Sequence, residues 1–172
     1  MTAPTRQRPP ASRLPPPVSL GIEVVRVVTP ADRLAAFEIR RRVFAEEQDV
    51  ADLRVSDQDD GRSIIALASL IVDERGARWP VATGRLTPPL LAGDPGLIAW
   101  VATIPEARGR GAGAAVMRFL LDVADRAGTR EVALAAQYPA EAFYERLGFI
   151  PAGPIYDVRG IGHRRMIRLR RV

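Results

Sequence analysis

A chain of 172 residues, 47% hydrophobic and 26% charged, has room for one domain with a full core and not for two. It has no cysteine and a single histidine, His163, which removes disulfides, thiolate zinc sites, cysteine nucleophiles and histidine-rich metal clusters, so no metal is expected. The net charge of +5 comes from arginine alone, interspersed with aspartate and glutamate as on a mixed-charge surface, and no apolar run approaches the roughly 18 residues of a membrane span, so a cytoplasmic protein with no membrane contact is expected.

Residues 1–20 carry Pro4, Pro9, Pro10, Pro15, Pro16 and Pro17 with few large apolar groups. They cannot offset the entropy of ordering, so a disordered arm is expected there and a single domain over 21–172. Ile22, Val24, Val25, Val27 and Val28 make residues 21–28 a first strand. Thr29 then supplies a helix N-cap, Pro30 the first helical position and Asp32 an acid three beyond the cap; Leu34, Phe37 and Phe44 follow at helical spacing to about Glu46. This helix carries Arg40-Arg41-Arg42 and leads into an acidic loop with Asp49, Asp52, Asp57, Asp59 and Asp60, which the residues alone leave open between a solvated loop and a site.

Residues 63–73 and 79–86 read as strands joined by the turn Asp73-Glu74-Arg75-Gly76, and Pro88-Pro89 with Gly93-Asp94-Pro95-Gly96 as an irregular loop. Residues 97–104 are nearly all apolar or β-branched, the pattern of a central strand buried on both faces. A helix over residues 114–127 has Met117, Leu120, Leu121 and Ala124 on one side, Arg118, Asp122 and Arg126 at i, i+4 spacing on the other, and Gly128 as its stop. A strand at 131–136, a short helix at 139–147 ending at Gly148, and strands at 149–158 and 163–169 joined through Gly160-Ile161-Gly162 complete the chain. Arg164, Arg165, Arg168, Arg170 and Arg171 form a basic C-terminus. Strands before, between and after helices, with hairpins at both ends, predict a mixed α/β sandwich around one sheet.

Between the central strand and its helix lies Arg108-Gly109-Arg110-Gly111-Ala112-Gly113. The glycines let the main chain turn tightly and come close to a ligand, and the amides of a helix N-terminus would hold an anion such as a pyrophosphate, with Arg108 and Arg110 adding charge. A Walker loop needs Gly-Lys-Ser/Thr, and the chain has no lysine. The Rossmann pattern Gly-x-Gly-x-x-Gly is not matched by Gly-x-Gly-x-Gly, and the acid expected at the next strand end is missing. The pattern present is Arg-x-x-Gly-x-Gly, in Arg108, Gly111 and Gly113.

With that pattern, directly after a strand and opening a helix, the chain resembles the GNAT superfamily of acyl-coenzyme A-dependent N-acetyltransferases. Gln137 and the short helix with Phe143-Tyr144, ending in Gly148-Phe149, resemble the same family's later motif. Arg40, Val43-Phe44 and Glu47-Gln48 before the acidic loop, and Gly160-Ile161-Gly162-His163 with Met166, are similar to the ElaA-like subgroup, which has proline where this chain has Gly162. The likeness runs from about residue 34 to the C-terminus.

The resemblance implies a mostly antiparallel sheet, splayed between the strand at 100–103 and the strand at 132–136 and flanked by helices. Acetyl-CoA would be the cosubstrate. Main-chain groups of Val101 and Thr103, with Ala102 between them, would pair with the pantetheine arm, and the amides of Arg108, Gly109, Arg110, Gly111, Ala112 and Gly113 would take the pyrophosphate. Gln137 matches a position at which the family contacts the coenzyme. A primary amine on a small molecule or peptide would attack the thioester directly through a tetrahedral intermediate, with an amide near Thr103 facing the thioester oxygen and Tyr144 donating to the departing sulfur. The proton of the attacking amine would go to Glu47, preferred over Asp57, Asp60 and His163, and an acidic pocket of Asp57, Asp60 and His163 would suit a cationic acceptor. Two other readings stand beside this one. The Arg-x-x-Val-Phe helix with its acidic loop also resembles acyl-homoserine lactone synthases, against which stand the complete glycine loop and the Phe-Tyr-x-x-x-Gly-Phe segment. The arginine-rich C-terminus motivates a non-catalytic nucleic-acid-binding or regulatory module on the same fold, although nucleic acid is not the expected partner. A homodimer is left open.

Overall fold

The first helix follows its capping chemistry. Thr29 Oγ1 accepts the Asp32 amide at 3.1 Å and returns its hydroxyl hydrogen to Asp32 Oδ2 at 2.7 Å, with Pro30 opening helix α1 (Pro30–Arg40). In this computed structural model, which describes residues 19–50 and 53–170, the arm expected over residues 1–20 falls, apart from Ser19 and Leu20, outside the described residues, as does Asp52 of the acidic loop. The other helices are α2 (Ala112–Arg126) and α3 (Glu141–Glu145). The strands are β1 (Gly21–Arg26), β2 (Ile64–Ile71), β3 (Arg78–Thr87), β4 (Gly96–Thr103), β5 (Glu131–Gln137), β6 (Ile150–Val158) and β7 (Ile161–Leu169). They form one sheet in the order β1-β2-β3-β4-β5-β7-β6, antiparallel at every step except β4 to β5, so the predicted mixed α/β architecture is the observed one.

Alternation along β3 assigns the two long helices to opposite faces. A Cβ on Gly84 would lie 2.8 Å from Val116 and 3.2 Å from Leu120 of α2, so only glycine lets that helix come so close. The next residue, Arg85, reaches the other way, to Asp57 and Asp60 and through them to Arg40 of α1. Helix α2 buries Met117, Leu120, Leu121 and Ala124, the stripe its spacing predicts, and Val116 with them.

Four local expectations change. The first helix does not stay α-helical to Glu46: Arg41–Glu47 widens into a π-helical segment, closed by Val50 donating to Ala45 O at 3.0 Å. The helix expected over 139–147 is α-helical only in α3, with a 3-10 turn Tyr138–Ala140 before it. The β6–β7 connection is not Gly160-Ile161-Gly162 but the two residues Arg159 (φ 55°) and Gly160 (φ 81°), with Val158 paired to Ile161. Two left-handed residues match the twist of a hairpin, so Ile161 and Gly162 pass into the strand. Finally, β4 is central but not buried on both faces: Leu97 is 46% exposed and Ala99, Trp100, Val101 and Thr103 are half-buried. The cause is the neighbouring strand, because β4 and β5 pair only over Gly96↔Val132, Leu97↔Ala133 and Ile98↔Leu134 and separate beyond that point.

Candidate active site

The separation of β4 from β5 builds the site. Opposite β3, Arg85 pairs with Ala99 and Thr83 with Ala102, so the single residue Gly84 faces both Trp100 and Val101, which is a bulge in β4. Trp100 carries the bulge with a left-handed backbone, φ 56°, unusual for so bulky a residue and costing on the order of 1–3 kcal/mol. Three contacts hold it: its indole N–H donates to Asp57 Oδ2 at 3.0 Å, the Arg40 guanidinium lies 5.1 Å over its ring, and Phe44 meets it edge-on at 5.3 Å. Beyond the bulge, Ile104 N–H turns to Val81 O of β3 at 3.0 Å, so by alternation Ala102 also faces β3 while Val101 and Thr103 present their main-chain groups to the gap.

The gap opens into two cavities. The larger, about 630 Å³, is lined by Val101, Thr103, the glycine loop, Arg146 and Tyr144. The smaller, about 220 Å³, is lined by Ile98, Trp100, Leu134, Tyr144 and His163. Both are bounded by Phe44, Val101, Gln137, Ala140 and Tyr144, so they meet at these residues.

On the larger side, α2 begins at a left-handed Gly111 (φ 86°) with no side-chain cap, and its first return bond is Ala115 N–H to Gly111 O at 2.9 Å. The amides of Ala112, Gly113 and Ala114 therefore point out of the helix end without a turn of helix to accept them. A Cβ on Gly113 would stand 3.0 Å from Thr103 Oγ1, whereas Gly109 (φ 75°) has open space around it. Arg108, expected among the anion ligands, is already engaged. Its guanidinium donates to both Glu47 oxygens at 2.7 and 2.6 Å and to Thr103 O at 3.1 Å, and its amide to Pro105 O at 3.3 Å. The Glu47 carboxylate holds the Arg108 guanidinium above its ordinary pKa. Arg110 stands apart from this cavity, beside Gly21, Ile22 and Leu70 in a separate surface depression.

Tyr144 sits where the cavities meet, 8% exposed, against Phe143 at 5.0 Å and Phe149 at 6.0 Å. Gly148 (φ 87°) ends α3, and Phe149 N–H returns to Tyr144 O at 3.2 Å, so the Gly-Phe pair anchors the tyrosine. Burial pushes its hydroxyl up to about 12. Gln137 exchanges amide bonds with Gln48, 3.2 Å each way, across the opening. His163 pairs with Gln137 across β5 and β7 and stacks on Tyr156. Its Nδ1 lies 2.8 Å from Ile161 O; a carbonyl only accepts, so Nδ1 carries the hydrogen and Nε2 of the neutral ring is a proton acceptor.

The acidic loop folds inward. Asp57 caps the turn Gln58–Gly61 and Asp60 returns to the Asp57 amide at 3.0 Å, a reciprocal capping box. Asp60, 5% exposed, accepts from Arg40 at 3.0 Å and from Arg85 at 3.2 Å; Asp57 accepts from Arg85 and Trp100. Burial pushes the Asp57 carboxyl up, but the hydrogen bonds from Arg85 and Trp100 outweigh it and hold the group below its ordinary value. Arg40 is fully buried, and burial lowers its pKa against the opposing pull of Asp60. Arg85, which completes the network, is a residue that the sequence does not single out.

The pattern of the Acetyltransferase (GNAT) family matches residues 33–149. An acyl-CoA N-acyltransferase from Pseudomonas aeruginosa superposes with a TM-score of 0.72 and 27% identity, covering 86% of this chain and 99% of its own. Escherichia coli ElaA does so with a TM-score of 0.72 and 25% identity over the same shares. The uncharacterized protein YyaT of Bacillus subtilis (strain 168) is 28% identical over 142 residues, 83% of this chain and 92% of its own. With its bulged and splayed sheet and the Arg-x-x-Gly-x-Gly helix start, the chain belongs to the GNAT family of acyl-CoA-dependent N-acetyltransferases.

Proposed function

We propose that the protein transfers an acetyl group from acetyl-CoA to a primary amine, with the larger cavity holding the donor and the smaller one the acceptor. The observation that carries this reading is that β4–β5 pairing stops at Ile98↔Leu134 and the two cavities beyond it share Phe44, Val101, Gln137, Ala140 and Tyr144 as a common boundary. The residues present fit the donor: the uncapped start of α2 suits a pyrophosphate, Gly109 leaves open space beside it, Gly113 lets the helix start lie close against Thr103, and Val101 and Thr103 offer a strand edge to an amide-bearing arm. The kinship with a Pseudomonas aeruginosa acyl-CoA N-acyltransferase supports the same donor class. Bound there, acetyl-CoA supplies an acetyl group activated as a thioester.

The chain's own groups divide the proton chemistry. Arg108 ties the glycine loop to Glu47 and β4, so it orders the donor site rather than ligating phosphate through its guanidinium. With both Glu47 oxygens engaged, His163 Nε2 is the base this geometry favours: it takes a proton from the amine nitrogen as the N–C bond forms. Tyr144, protonated throughout the neutral range, gives its hydroxyl proton to sulfur as the C–S bond breaks, and a proton passed from His163 to Tyr144 resets the pair. The Thr103 amide offers hydrogen bonding to charge developing on the thioester oxygen.

Free thiol release from acetyl-CoA with a panel of amines tests the reaction. Tyr144→Phe should lower kcat about 100-fold while calorimetry finds CoA affinity changed by less than about twofold; unchanged turnover would remove Tyr144 from the mechanism. No CoA binding by the folded chain would sink the donor assignment.

A further inference from the structure

We infer that the acceptor is a primary amine carried on a compact apolar body with no second cationic group. This rests on the acetyl-transfer reading, and it reverses the cationic acceptor that the acidic loop suggests in the sequence. Among the described residues, the acids that the sequence offers for such a substrate, and their neighbours Asp59 and Glu47, are already engaged: Asp57 by Arg85 and Trp100, Asp60 by Arg40, Arg85 and the Asp57 amide, Asp59 by Arg62, and Glu47 by Arg108. Two arginines, Arg40 and Arg85, face two acids, Asp57 and Asp60, so that network brings no net negative charge to the acceptor side.

The smaller cavity itself is apolar. Phe44, Ile98, Val101 and Leu134 wall it, and none of its described lining residues is an aspartate or glutamate. Beyond the main-chain groups of Val101, which the donor's arm would take, its polar side chains are few, and two of them are engaged elsewhere: the Gln137 amide with Gln48, and the Trp100 N–H with Asp57. What remains is the Tyr144 hydroxyl and His163 Nε2, enough for one nitrogen and its proton. An ammonium beside these walls would lose hydration without gaining a counter-ion, so the cavity favours the neutral amine, the form that attacks. A volume of about 220 Å³ suits an alkyl or aryl group of modest size.

The test uses the full chain with saturating acetyl-CoA and compares kcat/KM for hexylamine and 2-phenylethylamine with that for spermidine and agmatine, while calorimetry follows CoA binding. The apolar monoamines are expected to exceed the others by at least about tenfold, the usual scale for a pocket that must leave a polar group unpaired. CoA binding with equal or better turnover of spermidine or agmatine overturns the inference and leaves acetyl transfer standing; absence of CoA binding overturns the donor reading instead. A second arm replaces acetyl-CoA with octanoyl-CoA: preferential use of the longer chain would make the cavity a room for the acyl group and overturn the inference as well. Leu134→Val, which trims one wall and keeps a strand-forming residue, should cut kcat/KM for hexylamine about threefold or more with CoA affinity unchanged; hexylamine turnover insensitive to Leu134 would show that the wall does not touch the acceptor.

Discussion

At the scale of single residues, Tyr144 joins burial to protonation. Its hydroxyl, at about 12 in the folded chain against 10.0 ordinarily, binds its proton more tightly folded than unfolded because burial disfavours the anion. The stability tied to that proton is fully present below pH 10 and lost as pH rises toward 12, roughly 3 kcal/mol over the whole interval. Urea unfolding at pH 9 and pH 11 should show the native chain losing about 1 kcal/mol more than Tyr144→Phe over that step. Equal losses would mean that the hydroxyl is hydrated in the folded state. At neutral pH the phenol is a donor at either value; burial extends that protonated range toward pH 12. Asp57 shows the opposite balance. The hydrogen bonds from Arg85 and Trp100 prevail over its burial, so its contribution is present above the ordinary carboxylate range and lost as pH falls through its lowered folded value.

At the scale of elements, the site depends on how β3 receives β4. Gly84 lies opposite the bulge and under α2, where an added methyl would meet Val116 at 2.8 Å, Leu120 at 3.2 Å and Val101 at 3.5 Å. Gly84→Ala should therefore destabilise by about 1–3 kcal/mol through overpacking, seen as a lower urea midpoint at unchanged slope; an unchanged midpoint would show that α2 can retreat at little cost. What the sequence reveals here divides by the range of the interactions. The N-cap at Thr29, the stripe of α2 and the Gly148 stop are set within a few residues of themselves, and each is readable from spacing. The bulge is not, because Trp100 is neither glycine nor asparagine and its left-handed backbone is held by Arg40, Phe44 and Asp57, far away in the chain. The acids mislead for the same reason: five aspartates in one loop look like a solvated or substrate-binding surface until Arg40 and Arg85 are placed beside Asp57 and Asp60. Glu47 likewise reads as a free base in the sequence, and only folding puts Arg108, 61 residues away, against it.

At the scale of the whole molecule, charge separates the enzyme reading from the nucleic-acid reading. The formal +5 belongs to the full sequence, but Arg6, Arg8, Arg13 and Arg171 lie outside the described residues together with Asp52, which leaves 21 arginines against 19 carboxylates, a net of +2, in the described body. The basic C-terminal stripe is also matched by acids: Arg164 pairs with Glu141 at 3.3 Å, Arg165 with Glu131 at 3.1 Å and Arg168 with Asp125 at 3.0 Å. A guanidinium already facing a carboxylate releases few counter-ions on meeting a phosphate, and a protein that neutralises few phosphates has a shallow salt dependence and weak binding. Duplex DNA titrated at 20 mM and 150 mM salt should accordingly show at most weak association at the lower concentration and none that is measurable at the higher one. Residues 1–18 carry three arginines and no aspartate or glutamate in their sequence, which makes a further distinction possible: removing those residues should abolish the low-salt signal, with a logarithmic slope no steeper than about −3 before removal. Tight binding at 150 mM salt with a steep slope would require the paired arginines of β7 to leave their carboxylates for phosphate, and would move the nucleic-acid reading from a side alternative to the one to pursue.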